Sequence, residues 1–185
     1  VIADELGMSD LIEEVITDPF SPTPEFLAAN PLSRIPTLVT DRGEALPGSG
    51  LIIEYLQTRG SGLPILPRGS KRWAILRRGQ IAEGIIEAAV AIVFEKRRPE
   101  SIIYPTFIDR QRENILRGLD TLSLELDALS ASQPGVVEFT ASIALAYLDQ
   151  AIPYLEWRRQ HEALAAWQDI LAQRPSMLRT LSPAA

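Results

Sequence analysis

Cysteine is absent from this 185-residue chain, and histidine occurs once. Without cysteine these residues hold no disulfide, no thiol nucleophile, no thiolate zinc site and no CxxC redox pair. The single histidine, His161, excludes a multi-histidine metal cluster and leaves any Ser-His-Asp relay only that one imidazole. No metal site is expected. No apolar run approaches the ~20 residues that span a bilayer, and no signal-peptide pattern opens the chain. Positive charge is in deficit: 18 Lys+Arg stand against 24 Asp+Glu, a formal net charge of −6. With a pI near 4.9, that balance argues against nucleic acid as the main partner. Hydrophobic residues at 46% and charged residues at 23% are globular values. A chain of this length hides roughly 70% of its unfolded surface on folding, which supports a core without staples. The expected class is soluble, globular and cytoplasmic, without a membrane partner.

The fourteen prolines and eleven glycines punctuate the first half most densely, and long helical periodicity fills the second. Val1 to Leu6 reads as a short helix closed by Gly7. Ile12 to Thr17 is β-branched and partly alternating, the pattern of a strand. Glu25 to Ala29 reads as a helix ending before Asn30-Pro31. Thr37 to Thr40 and Glu44 to Leu46 flank Asp41-Arg42-Gly43 as a hairpin, and a helix from Gly50 stops at Gly60. A lone strand at 12–17 gives a thin sheet, and the opening helix would normally arise from a preceding strand. The first strand is therefore expected to be missing from this sequence.

Gly60 to Ser70 is dense in Gly and Pro and reads as a linker. Ser70 is placed to cap a helix running to about Arg98, before Pro99. A second long helix starts near Thr106, with Ile108, Ile115, Leu119, Leu122, Leu126 and Leu129 forming one apolar stripe. Ser130 to Glu138 reads as a loop, and Thr140 to Leu148 and Glu162 to Gln173 as further helices. The expected organisation is an α/β domain over 1–60, a linker over 61–70 and an all-helical domain over 71–185.

Chemistry concentrates between Asn30 and Leu56. Pro36 lacks an N–H and suits only the beginning or edge of a strand. Ser49 stands directly before an apolar helix, whose first N–H groups and positive dipole end favour a carboxylate or phosphate. On local chemistry two readings stand: a ligand-binding turn, or a serine that only caps its helix and a proline that only sets a turn.

The succession Asn30-Pro31, Ile35-Pro36-Thr37-Leu38, hairpin, Ser49, Ile52, Tyr55-Leu56 resembles the N-terminal domain of glutathione transferases. Val1 to Gly7 is similar to the latter part of that family's first helix. Ala82 to Ala89, Tyr147-Leu148-Asp149 and His161 to Trp167 are similar to its helical domain. The resemblance implies a thioredoxin-like domain packed on a helical-bundle domain, a homodimer, and glutathione as co-substrate with a small-molecule electrophile. It also implies a binding set. Pro36 would be the cis-proline that frees the Ile35 backbone to pair with the ligand, Ser49 would receive the γ-glutamyl carboxylate, and Arg34 would reach the tripeptide. Arg34 as a plain surface cation is the other reading.

Gly48 occupies the position before the serine where the family carries an acid that pairs the ligand's amino group, and Pro47 and Gly50 replace bulkier residues. Ser142 stands where an acidic capping residue is common, so the capping signal of its helix is weak. The strand and turn that carry the family's catalytic Tyr, Ser or Cys have no counterpart in this sequence, and the catalytic residue is unknown. A hydroxyl there would favour the glutathione thiolate, and the electrophile would lie along the helix from Trp73 to Phe94. Two alternatives follow from the departures: a non-catalytic scaffold of the same fold, or a thiol-disulfide reductase if an upstream Cys exists. Glu83 and Glu87, one helical turn apart, read as solvated or dimer-facing, and Trp73, Trp157 and Trp167 as core or interface aromatics. Arg77-Arg78 and Lys96-Arg97-Arg98 read as structural cations, and His161 as a capping or packing residue.

Overall fold

Pro24 at a first helical turn and Thr23 before it start the first well-capped element. Thr23 Oγ1 accepts from the Phe26 N–H at 3.2 Å, and proline's missing donor costs nothing there. In the computed structural model, which describes residues 1–62 and 64–180, this helix is α2, Pro24–Ala29, and α1 is Ile2–Glu5. Leu63, in the expected linker, and residues 181–185, at the end of the expected helical domain, lie outside the described residues. Contacts divide the chain into two units, Val1–Leu66 and Pro67–Ala185.

In the first unit, α1 ends on Gly7 at φ +67°, with Gly7 N–H bonded to Asp4 O and Met8 N–H to Ala3 O. That pair of bonds is a Schellman end. Ile12 to Thr17 is not a strand. A 3-10 turn, Ser9–Leu11, leads into unpaired chain in which Val15 is 78% and Ile16 100% exposed. β-Branched alternation encodes an extended preference, but a strand also needs a partner ladder, and none stands beside it among the described residues. The hairpin forms where its turn chemistry places it. β1 (Thr37–Val39) and β2 (Ala45–Pro47) pair antiparallel with Thr37 opposite Pro47 and Val39 opposite Ala45. α3, Ser49–Arg59, follows at once.

Among its described residues the second unit is all helical. α4 is Arg72–Lys96, α5 Pro105–Leu124, α6 Val136–Ala151, α7 Trp157–Gln160, α8 Glu162–Ala172 and α9 Pro175–Thr180. Ala82, Ile85, Ala89 and Ile92 of α4, Ile115, Leu119 and Leu122 of α5, and Ala141, Leu145 and Leu148 of α6 build its core. The stripe on α5 is buried as its spacing predicts, but the helix stops at Leu124 and a 3-10 turn carries Leu126. Ser70 does not cap α4, whose N-cap is Lys71 without a side-chain bond. α6 begins four residues before the expected Thr140. Its acid is Glu138, whose Oε2 accepts from the Gly135 N–H at 2.9 Å, while Ser142 is fully buried. Gly135 offers no side-chain oxygen and Val136-Val137 are β-branched, so the sequence there resembles a loop. Trp157 and Trp167 are buried, whereas Trp73 is 73% exposed under the Arg72 guanidinium.

Arg77 and Arg78 both reach Glu125 at the end of α5, Arg77 by a short bond and Arg78 at 3.5 Å. The Arg77 hydrogen bond first, then the positive charges of both guanidinia, hold the Glu125 carboxyl below its usual range. A carboxyl lowered in the fold stabilises above its unfolded pKa, about 4.3, and loses that contribution as pH falls through the folded value. Glu125→Gln should therefore melt below wild type at pH 7, with the gap closing towards pH 3. Thermal denaturation at the two pH values reads this, and a gap independent of pH would contradict it.

Candidate functional site

The register of the hairpin creates the site. Thr37 stands opposite Pro47, so one step outward sets Pro36 beside Gly48, and the Gly48 N–H donates to Pro36 O at 3.0 Å. Residues 35–36 and 48–49, far apart along the chain, thus meet at one end of the ribbon. The Ile35-Pro36 peptide bond is cis. Ile35 is 60% exposed, and among the described residues its N–H and C=O make no hydrogen bond. An unpaired stretch of main chain lies open beside the proline and the start of β1, where a peptide could add as a strand.

Gly48 has φ +88° and ψ 143°, a conformation that a β-carbon disfavours. It turns the chain from β2 into α3 within one residue. Gly48, not Ser49, is the N-cap: Ser49 is the first helical residue, and no side-chain oxygen caps the helix. The expectation that Ser49 caps fails because the turn out of β2 is completed at the preceding glycine. As a result Ser49 stands exposed at the helix tip. The Ile52 N–H takes Gly48 O at 3.2 Å, so the N–H groups of Ser49, Gly50 and Leu51 have no partner within the helix. Those donors and the positive dipole end suit a carboxylate.

Arg34 is exposed and makes no ion pair among the described residues. The Gly48–Pro36 bond and sequence adjacency put Arg34, Ile35 and Pro36 at the same end of the hairpin as Gly48 and Ser49. With glycine at 48, no carboxylate stands at that position for a ligand's amino group. The set offers unpaired main chain, open helix-tip N–H groups and a cation, chemistry that suits an anionic, peptide-like molecule, and it contains no acid–base pair. Among the described residues, no group of three or more His, Cys, Asp or Glu could hold a metal ion, and no helix is long and apolar enough to cross a membrane.

Asn30, which the sequence marks only as half of the Asn30-Pro31 pair that ends a helix, underlies the loop. Asn30, 1% exposed, donates from Nδ2 to Arg34 O at 2.8 Å and to Thr37 Oγ1 at 3.0 Å, and accepts from the Leu32 N–H at 3.0 Å. In the second unit, His161 packs against α5, with Nδ1 2.9 Å from Ser123 Oγ and Nε2 3.9 Å from Asp120. Glu87 is exposed and, with Gln80, Gln111, Asn114 and Arg117, rims a groove of about 580 Å³ between α4 and α5.

Known proteins share this fold. The model of the glutathione S-transferase N-terminal domain matches residues 1–59, and that of the C-terminal domain matches residues 105–169. The Escherichia coli (strain K12) "uncharacterized GST-like protein YibF" is 30% identical over 159 residues, 84% of this chain and 79% of that protein. A glutathione transferase family member from Pseudomonas fluorescens Pf-5, solved with bound glutathione, is 36% identical. It has a TM-score of 0.91 and covers 98% of this chain and 91% of its own. A glutathione S-transferase from Methylobacillus flagellatus KT, solved with GSH bound, is 28% identical with a TM-score of 0.87, over 97% of this chain and 90% of that one. With two domain models matched in chain order and a relative of this identity along most of its length, the chain belongs to the glutathione S-transferase family.

Proposed function

We propose that this chain binds glutathione at the end of the hairpin built by Arg34, Ile35, Pro36, Gly48 and Ser49 and conjugates it, through its sulfur, to a small electrophile. The observation that carries the reading is the unpaired Ile35 main chain lying one register step from the open N–H groups of α3. Glutathione is a tripeptide with a carboxylate at its γ-glutamyl end. Its cysteinyl main chain adds to the Ile35 edge, its γ-glutamyl carboxylate sits on the Ser49 hydroxyl and helix tip, and Arg34 supplies a cation beside it. Held this way, the sulfur attacks as thiolate: a carbon–sulfur bond forms and the electrophile's leaving group departs with its electron pair. The residue that favours the thiolate is not among the five. The chain acts as a cytoplasmic homodimer in this reading, a state that sedimentation measures directly.

Replacing Ser49 tests the site. Ser49→Ala should weaken glutathione binding by about 1–3 kcal/mol, the usual effect of removing a partner from a charged hydrogen bond. Because Ser49 does not cap α3, thermal stability should stay within about 0.5 kcal/mol of wild type. Unchanged affinity in calorimetry would remove Ser49 from the site. Gly48, which offers no carboxylate to the ligand's amino group, favours one second reading, a non-catalytic scaffold of the same fold. A stable dimer with no measurable glutathione affinity would select it, and a clear calorimetric binding signal would count against it.

A further inference from the structure

Arg34 O is one of the most constrained atoms in the first unit. It accepts two hydrogen bonds, from Asn30 Nδ2 at 2.8 Å and from Thr37 Oγ1 at 2.9 Å, which fills both lone pairs. Asn30 is equally committed. Its two amide hydrogens go to Arg34 O and Thr37 Oγ1, and its Oδ1 takes the Leu32 N–H. Arg34 O can only accept and the Leu32 N–H can only donate, so the orientation of the amide is fixed.

A planar trans peptide points its C=O and N–H in opposite directions. Arg34 O is pulled inward onto a side chain 1% exposed. The N–H across that same peptide, the Ile35 N–H, is thereby turned outward, where it has no partner among the described residues. We infer that Asn30 is a positioning residue for glutathione: by holding Arg34 O inward together with Thr37, it aims the Ile35 N–H at the ligand. The inference rests on the glutathione reading above and assigns to it a residue that never touches the ligand.

The test compares three variants of the whole chain by calorimetric titration with glutathione, each relative to wild type at the same pH. Asn30→Asp keeps the acceptor for Leu32 but puts a carboxylate oxygen against Arg34 O. It also draws the Thr37 hydroxyl proton away from that carbonyl. Binding at pH 7.5 should weaken about 10- to 100-fold. At pH 5 a protonated carboxyl regains one donor, and part of the loss should return. Thr37→Val removes one of the two donors and should weaken binding about 3-fold. Ser33→Ala is the control. Ser33 Oγ ties the same loop to Pro19 O at 2.7 Å without bonding Arg34 O, so its loss should lower the melting temperature yet leave affinity within about 2-fold.

A folded Asn30→Asp with wild-type affinity would overturn the inference. So would a loss of the same size at both pH values, or an equal loss in Ser33→Ala, since each describes a loop that is merely loosened. Where Asn30→Asp does not fold, Thr37→Val with unchanged affinity overturns it alone. A wild-type chain that binds no glutathione removes the underlying reading instead, and the two failures are distinct.

Discussion

Trp157→Ala should destabilise the helical unit by about 3–5 kcal/mol, the range for deleting a buried large aromatic. Trp157 is 2% exposed, and its indole Nε1 donates to Asp149 Oδ1 at 2.8 Å. The Arg158 guanidinium lies 4.9 Å from the ring centroid while also bonding Asp149 and Asp169. Trp157 therefore ties α7 to the end of α6 by volume and hydrogen bond, and the Arg158 stacked on it reaches on to Asp169 of α8. Trp157→Phe keeps most of the volume and loses the N–H, and should cost about 1 kcal/mol. Trp73→Ala, at an exposed tryptophan, should stay within about 0.5 kcal/mol of wild type. Urea unfolding followed by far-ultraviolet dichroism ranks the three, and a Trp157→Ala loss below about 1 kcal/mol would contradict the packing account.

Gly62→Ala should destabilise the first unit by about 3 kcal/mol, the upper end of ordinary overpacking. A β-carbon at Gly62 would stand 2.4 Å from Glu5 O and 3.0 Å from Leu6 Cα. Both are backbone atoms of the tightly turned end of α1, so no rotamer change relieves the clash. The Ser61 N–H is bonded to Leu6 O at 3.2 Å, which holds the segment against that helix end. Leu6 itself is fully buried. The same unfolding measurement reads the effect, and a change under about 0.5 kcal/mol would show that α1 moves aside without penalty.

Much of this architecture is legible in the residues because it is local. The 3-4 spacing of Ile115, Leu119 and Leu122 sets the buried face of α5, and Asp41-Arg42-Gly43 between two short apolar runs sets the hairpin. Once the hairpin register is fixed, the meeting of Pro36 with Gly48 follows. What stays hidden depends on partners distant in sequence or on backbone turns that leave little trace. Ile12 to Thr17 has the composition of a strand and no ladder. Gly48 takes over the cap position from Ser49 by adopting a positive φ, and Gly135 begins α6 without the oxygen that normally announces a helix start. His161 meets Ser123 across 38 residues, a pairing no local pattern encodes. Asn30 precedes a proline and reads as a helix end. Its hold on Arg34 O becomes visible only when the loop closes back on it.

The proposed function requires the open main chain at Ile35 and the helix tip at Ser49 to form one glutathione site. Calorimetric titration of the wild-type chain with glutathione measures this most directly. The expected result is saturable binding of one glutathione per chain, weakened in Ser49→Ala while the fold is retained. A flat titration of folded wild-type chain, or saturation indifferent to Ser49, would contradict it.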